Sequence, residues 1–134
     1  MAADSSCFAD ETHVYSIRKI FRVGGGLVGA AGLIVDIAVF VQWLRDGAID
    51  GEYPKMTAME AIVVNPQGRV CAYESEQADP VPVKAPYCAI GAGRDFALGA
   101  MHAGADAKNA VKAAIKHHSL VKPPVRVYKL KGMA

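Results

Sequence analysis

The chain has 134 residues, 52% of them hydrophobic, so it can bury one core but has little room for a second domain. Its 15 basic and 13 acidic residues give a formal net charge of +2, a balance that argues against a nucleic-acid-binding surface. Cys7, Cys71 and Cys88 are odd in number and lack metal-ligand spacing. We therefore expect buried thiols, a reducing compartment such as the cytoplasm, and a single domain over residues 1–134.

The first third of the chain predicts two strands and then a strand followed by a helix. Residues 1–5 are typical of the second half of a β-strand, and residues 13–23 predict a second strand. Residues 27–44 are apolar enough to imitate a membrane span, but Asp36 would lie near the bilayer centre, which is unfavourable by about 3 kcal/mol. We expect instead a strand over 27–30 and a helix over 33–44, with no membrane partner. Asp36 then falls in the first helical turn, where the helix dipole favours a carboxylate.

The remaining elements predict an α+β fold with antiparallel strands. Residues 60–64 and 69–73 flank Asn65-Pro66-Gln67-Gly68, a strong turn signal that predicts a hairpin. Three prolines and several acidic residues make 76–86 a surface loop or an edge segment. Further elements are expected as a strand over 87–90, helices over 94–103 and 105–117, and a closing strand over 125–130.

A glycine pattern offers one alternative function. Residues 24–29, Gly-Gly-Gly-Leu-Val-Gly, satisfy G-x-G-x-x-G after a strand candidate, the pattern of a small dinucleotide-binding module from Gly24 to Gly29. The strand predicted over 27–30 leaves no helix N-terminus for a pyrophosphate. A glycine-rich hairpin turn is therefore the favoured interpretation.

Several motifs in register resemble one known family. Met1-Ala2-Ala3-Asp4-Ser5 is followed by Lys19-Ile20, then Gly29-Ala30-Ala31-Gly32 with Asp36, then Ile90-Gly91-Ala92-Gly93, and finally Ala114-Ile115 and Pro124-Val125-Arg126-Val127-Tyr128. In order and spacing they resemble the β-type proteasome subunits and the bacterial proteasome-like HslV peptidases. The resemblance covers nearly the whole chain.

The resemblance implies a four-layer αββα sandwich of the N-terminal nucleophile hydrolase type. In that family an N-terminal threonine attacks the peptide carbonyl while its own α-amine relays the proton. By resemblance, Asp4 and Lys19 match the charged pair beside the threonine, where a cation favours the alkoxide. Gly32 matches the glycine whose backbone N–H contributes to the oxyanion hole. The alternative interpretation of Asp4 and Lys19 is a surface ion pair at a strand end.

This sequence departs from the family at four places. The first strand and its threonine are absent, and Ala92, His118 and Val121 stand where the family usually has serine, aspartate and serine. Those three positions form a hydrogen-bond network around the threonine amine, which a methyl, an imidazole and an isopropyl group cannot reproduce. We expect either a chain truncated at an internal Met1 or a degenerate member retained as a scaffold.

The sequence therefore predicts a threonine-type peptidase subunit by family that is catalytically silent as it stands. Its rival is a non-catalytic assembly or scaffold protein with the same fold. The expected partners are further copies of the chain, an unfoldase ATPase, and a peptide or protein substrate if the chain is active. We expect no cofactor and no metal, because His117 and His118 lack a third ligand at useful spacing.

Overall fold

The computed structural model describes residues 1–9, 12–48 and 52–131. The chain forms two compact units: residues 1–20 with 85–128, and residues 21–84 with the segment from Lys129 onward. The first unit contains β1 (Ala2–Ala3), β2 (Ser6–Ala9), β3 (Thr12–Ser16), α2 (Arg94–His102), α3 (Ala107–His117) and β9 (Arg126–Val127). The second is built around β4 (Ile20–Val23), β5 (Gly26–Gly32), α1 (Ile34–Arg45), β6 (Met59–Val64), β7 (Val70–Glu74) and β8 (Gln77–Pro82).

The second unit holds a five-stranded sheet in the order β4-β5-β6-β7-β8. The predicted β6–β7 hairpin is confirmed, and its turn is closed by Asn65, whose side-chain oxygen accepts from the N–H groups of Gln67 and Arg69 at 3.0 and 2.9 Å. Gly68 completes the turn with a positive φ of 84°, a conformation open mainly to glycine. β8 is an edge strand, as the alternative of an edge segment over 76–86 anticipated.

The glycine pattern at residues 24–29 belongs to a hairpin. Gly24 and Gly25 have φ values of 55° and 83° and form the turn that joins β4 to β5. Two consecutive positive φ values are the signature of a type I′ hairpin turn. Because β5 continues from this turn as a strand, no helix N-terminus is present for a pyrophosphate. The dinucleotide-binding alternative is therefore wrong, and the hairpin interpretation is confirmed.

Helix α1 covers the sheet with an apolar face. Val28, Ala30, Phe40 and Ala61 belong to the buried cluster that joins β5, β6 and the helix. Around Phe40 lie the rings of Trp43, Tyr53 and Tyr73, whose centroids are 5.9, 6.3 and 5.2 Å from its own. Burial raises the pKa of Tyr53 to about 12, with the nearby Tyr73 adding to the shift. Both the strand before α1 and the helix itself are confirmed, each within one or two residues of its predicted bounds.

In the first unit, α2 and α3 form a helical pair. Gly104, with a φ of 104°, separates them, and Asp106 caps α3 by accepting the N–H of Asn109 at 2.8 Å. Both predicted helices are confirmed, although α3 begins two residues later than expected. β1 pairs with β9, and β2 pairs with β3 as a hairpin.

Three strand predictions differ from the structure. The single strand expected over 13–23 is divided into β3 and β4. The chain leaves the β2–β3 hairpin at Ser16 and joins the five-stranded sheet at Ile20. No strand forms over 87–90, since this segment has no ladder partner among the described residues. The closing strand is limited to Arg126–Val127, which pair with Ala3 and Ala2 of β1. No helix within the described ranges is long and apolar enough to cross a membrane.

Candidate functional site

Asp4 and Lys19 form an ion pair in the first unit. Asp4 follows β1 directly, and Lys19 lies in the link between β3 and β4. The Lys19 Nζ is 2.8 Å from Oδ1 of Asp4, and the two side chains are only 20% and 12% exposed. An ion pair this far removed from water is screened less than one on the open surface. The structure therefore brings together two residues that are 15 positions apart in sequence.

The second oxygen of the Asp4 carboxylate holds the site in place. Oδ2 accepts the backbone N–H of Ser6 at 3.2 Å and that of Lys122 at 3.0 Å. With the Lys19 ammonium, Asp4 has three donors, which is enough to fix both the rotation of the carboxylate and the position of the cation. One of them comes from a residue 118 positions away. Asp4 is thus a junction between the start of the chain and the segment after α3.

The two serines beside Asp4 are buried and structural. The Ser5 hydroxyl donates to the carbonyl of Pro124 at 2.7 Å, and its N–H donates to the carbonyl of Lys122 at 3.0 Å. Ser6 is 3% exposed, and its hydroxyl oxygen has no hydrogen-bond partner within the described ranges. Because the Ser5 hydroxyl donates its hydrogen bond to a carbonyl and not to a base, it is not arranged as a nucleophile.

The N-terminal amine is engaged in a strand pairing. The Met1 ammonium donates to the carbonyl of Tyr128 at 2.8 Å, and the Tyr128 N–H donates back to the Met1 carbonyl at 2.8 Å. These reciprocal bonds continue the β1–β9 ladder. The amine therefore contributes to a sheet end.

The three departing positions lie near the turn before α2 and the end of α3. Val121 is buried, and a side chain built at Gly93 would approach one of its methyl groups to 3.0 Å and the Ala114 methyl to 2.8 Å. His118 caps α3, and its Nδ1 accepts the N–H of Leu120 at 3.1 Å. Ala92 is exposed. The Val121 side chain thus offers only apolar methyl groups at this position. The His118 side chain makes a local hydrogen bond to a residue two positions on.

Gly32 belongs to the second compact unit. It has a φ of 123°, and a Cβ at this position would lie 2.2 Å from the carbonyl oxygen of Ala58, so only glycine fits. The next residue, Leu33, donates its N–H to the same carbonyl at 2.9 Å. The backbone at Gly32 is therefore held against the residues that precede β6.

Asp36 is a buried acid that holds two backbone N–H groups. It is 6% exposed, and its Oδ2 accepts the N–H groups of Thr57 and Ala58 at 2.9 and 2.8 Å. A carboxylate with two backbone donors is strongly held inside a protein. The helix dipole explained why an acid suits the first turn of α1, but not why this one is buried. The only available signal was its position on an otherwise apolar helix face.

The three cysteines are the remaining candidates for a reactive side chain. All three are free and half-buried, so the expectation of buried thiols was too strong. Burial raises the pKa of the Cys88 thiol, which disfavours the thiolate needed for nucleophilic attack. Within residues 1–9, 12–48 and 52–131, no three potential metal-ligating side chains come together.

Solved structures with the same architecture are readily found. The BPH of Thiobacillus denitrificans aligns with a TM-score of 0.68 and 22% identity over 98% of this chain and 92% of that one. Eukaryotic HslV from Trypanosoma brucei aligns with a TM-score of 0.77 and 18% identity, over 93% and 88% of the two chains. The chain has the fold of the proteasome-type N-terminal nucleophile hydrolases. The predicted fold class is confirmed.

Further comparisons agree with this fold. A complex of the same Thiobacillus BPH with epoxomicin matches with a TM-score of 0.69 and 21% identity, over 93% of this chain and 88% of that chain. Anbu, the ancestral β-subunit from Yersinia bercovieri, matches with a TM-score of 0.65 and 14% identity, over 92% and 73%. No protein-family model and no curated protein matches the sequence. The proteasome-type assignment therefore rests on shape, and roles of individual residues need separate support.

Proposed function

We propose that the chain is a proteasome-type peptidase subunit that retains the charged pair of the family's active site, Asp4 and Lys19. We also propose that the 134-residue polypeptide does not itself cleave peptides. The observation that carries the first half is the Asp4–Lys19 ion pair, with its 2.8 Å contact and the two further donors on Asp4. A preorganised cation beside a hydroxyl lowers the energy of the alkoxide that attacks a carbonyl. We propose that Lys19 supplies that cation and that Asp4 holds it. For Gly32, the proposed oxyanion role of its N–H rests on the family resemblance alone.

The groups around the pair support catalytic silence. The Met1 amine donates a hydrogen bond to the carbonyl of Tyr128. The buried Ser5 hydroxyl donates one to the carbonyl of Pro124. Ser5 donates its proton to this carbonyl and not to a base that could activate the hydroxyl for attack. Val121 contributes an isopropyl group and Ala92 a methyl group where the family resemblance implies hydroxyls, so proton relay through these positions is lost.

A peptide assay tests this proposal directly. The purified 134-residue polypeptide is incubated with fluorogenic peptides carrying basic, acidic and large apolar residues before the reporter, and we expect release at the buffer rate. Lys19→Ala is the matched control. Cleavage that disappears in Lys19→Ala would overturn the silence and assign a peptidase, whereas cleavage that persists in it comes from a contaminating protease.

Intact mass and N-terminal sequencing of the protein made from its native locus provide a second test. A mature chain that carries a threonine, serine or cysteine at its amine, ahead of the position of Met1, would contradict the silence. It would also direct the peptide assay to that longer chain. An amine at Met1 or Ala2 would support silence.

A scaffold with the same fold is the second candidate function. The apolar contacts of Val121 and the local bond of His118 favour it, because they replace a polar network by packing. On either candidate we propose that the chain associates with further copies of itself and operates in the cytoplasm, which its free thiols support. An unfoldase ATPase and a peptide or protein substrate are partners only of the peptidase form.

A further inference from the structure

Charge is divided unevenly along the chain. Residues 21–84 contain eight acidic and five basic side chains, whereas residues 85–128 contain two acidic and six basic ones. These two stretches of chain, the acidic region and the basic region, therefore differ in the sign of their charge. Counted over the whole compact units, the difference is smaller: eight basic and five acidic side chains in the first unit, and seven basic and eight acidic in the second. Opposed regions of this kind orient two molecules as they meet.

Three of the six basic residues in 85–128 lie in a row on α3. Lys108, Lys112 and Lys116 are all exposed and follow one another at intervals of four residues, so they lie on one face of the helix, about 6 Å apart along its axis. We call these three residues the lysine stripe. Like charges at this spacing repel, and α3 contains no acidic residue that could relieve them. Within the described ranges none of the three ammonium groups has an acidic partner.

The acidic region has its densest point where β7 turns into β8. Glu74, Glu76 and Asp79 are exposed, and no basic residue occurs between Arg69 and Lys84. We call these three residues the acidic hairpin end. Glu60 lies directly opposite Glu74 in the strand register and adds negative charge at the same place.

We propose that the lysine stripe of one copy docks on the acidic hairpin end of a second copy. The two surfaces are different, so the contact is head-to-tail, and repetition of such a contact closes into a ring when its rotation permits. This inference deepens the self-association proposed above by naming its surfaces, and it does not depend on whether peptides are cleaved.

A second copy fits the stripe better than other anionic partners. A nucleic acid would be attracted by three lysines but repelled by the acidic region of the same molecule. A membrane surface would need large apolar side chains on α3 to enter the lipid boundary, and none of those exposed in the described ranges lies on this helix. The acidic hairpin end instead supplies three carboxylates for three ammonium groups.

Reciprocal charge reversal tests the docking. Sedimentation velocity of the full chain is measured at ionic strengths of about 0.01 M and about 1 M, where the screening length falls from about 30 Å to about 3 Å. We expect an assembly at low salt that dissociates at high salt. The variant Lys108→Glu/Lys112→Glu/Lys116→Glu and the variant Glu74→Lys/Glu76→Lys/Asp79→Lys should each be monomeric at low salt.

Mixing the two variants is the decisive step. Each carries two surfaces of like sign, whereas in the mixture every contact pairs an acidic surface with a basic one, so we expect assembly to return. The control Lys55→Glu/Lys84→Glu/Lys129→Glu changes the net charge as much as the first variant but alters exposed lysines elsewhere, and it should still assemble.

Four results would overturn the docking: a wild-type chain that is monomeric at low salt, reversed variants that still assemble, a mixture that stays monomeric, or a control that also dissociates. Retention of wild-type chain by an oligonucleotide or by anionic vesicles, with no assembly, would overturn it in favour of that partner. The peptide assay is read independently, so failure of the docking leaves catalytic silence untouched. Detected cleavage likewise leaves the docking untouched.

Discussion

The Asp4 cluster and the aromatic core beneath α1 are held together by different forces. Asp4 gathers three donors from three stretches of chain, and each bond has a defined direction. Phe40 is fully buried among Trp43, Tyr53 and Tyr73, where contact area matters more than direction. The polar site thus depends on the direction of individual hydrogen bonds, one of them from a residue 118 positions away, whereas the core depends on contact area between apolar rings.

The largest effect is expected where the core loses its central ring. Phe40→Ala removes a side chain that is 0% exposed and should lower the free energy of unfolding by about 4 kcal/mol, since transfer and cavity terms add. Urea denaturation monitored by Trp43 fluorescence measures it. Phe40→Leu keeps most of the volume and should lose less than half as much. A loss below about 1 kcal/mol in Phe40→Ala would contradict the packing described.

Removal of the polar junction should have the next largest effect. Asp4→Ala leaves Lys19 without its carboxylate and two backbone N–H groups without an acceptor, which should destabilise the chain by about 3 kcal/mol. Asp4→Asn keeps an oxygen for the backbone donors, so its stability should lie between that of the wild-type chain and that of Asp4→Ala. Adding Lys19→Met to Asp4→Ala should recover stability, because the unpaired cation is then gone. Additive losses would show that the two side chains are not coupled.

Alkaline pH should separate the two regions. The folded pKa of Tyr53 is raised to about 12 from its ordinary value of 10.0, chiefly by desolvation, so its ionisation opposes folding. Its contribution is fully present below the unfolded pKa and is lost as pH rises through the folded one. Thermal stability should therefore fall across pH 10 to 12. The decline should be shallower in Tyr53→Phe. Part of the pH dependence should remain in this variant because the pKa of Tyr73 is also raised. Equal slopes would exclude Tyr53 as the cause.

The smallest effect concerns the backbone after α1. Ala48 has a φ of 55°, a left-handed conformation that is unfavourable for alanine by about 1 kcal/mol or somewhat more. Glycine relieves this strain but loses more entropy on folding, so Ala48→Gly should stabilise the chain by about 0.5 kcal/mol. A rise of about 2 °C in melting temperature is the measurable form. Ala38→Gly, inside the helix, is the matched control and should destabilise.

The elements of the second unit could be predicted because their signals are local. Helix α1 follows from apolar periodicity, and the β6–β7 hairpin follows from Asn65-Pro66-Gln67-Gly68. Tyr87–Ile90 has equally strand-like residues, but no strand in the part of the chain that the structure describes pairs with it. Propensity alone therefore could not decide that segment, since a strand exists only through its partner.

The candidate site was reached through resemblance, not through local pattern. Asp4 and Lys19 are ordinary charged residues in sequence, and their contact depends on how the β2–β3 hairpin brings the chain back. The partner of Ser5 is Pro124, 119 residues away. For Asp36 the sequence suggested a helix-dipole effect, while the two backbone donors from Thr57 and Ala58 were invisible until the fold placed them.

The prolines of β8 set a limit on aggregation. The exposed flank of an edge strand can recruit a strand from another molecule and so begin a growing fibril. β8 lacks the N–H donor at Pro80 and Pro82, and the Val83 N–H bonded to Val70 at 2.9 Å turns the neighbouring Pro82 ring toward the open flank. An incoming strand would find no donor there. Copies of this protein can therefore crowd together at high concentration without the sheet extending from one molecule to the next along this edge.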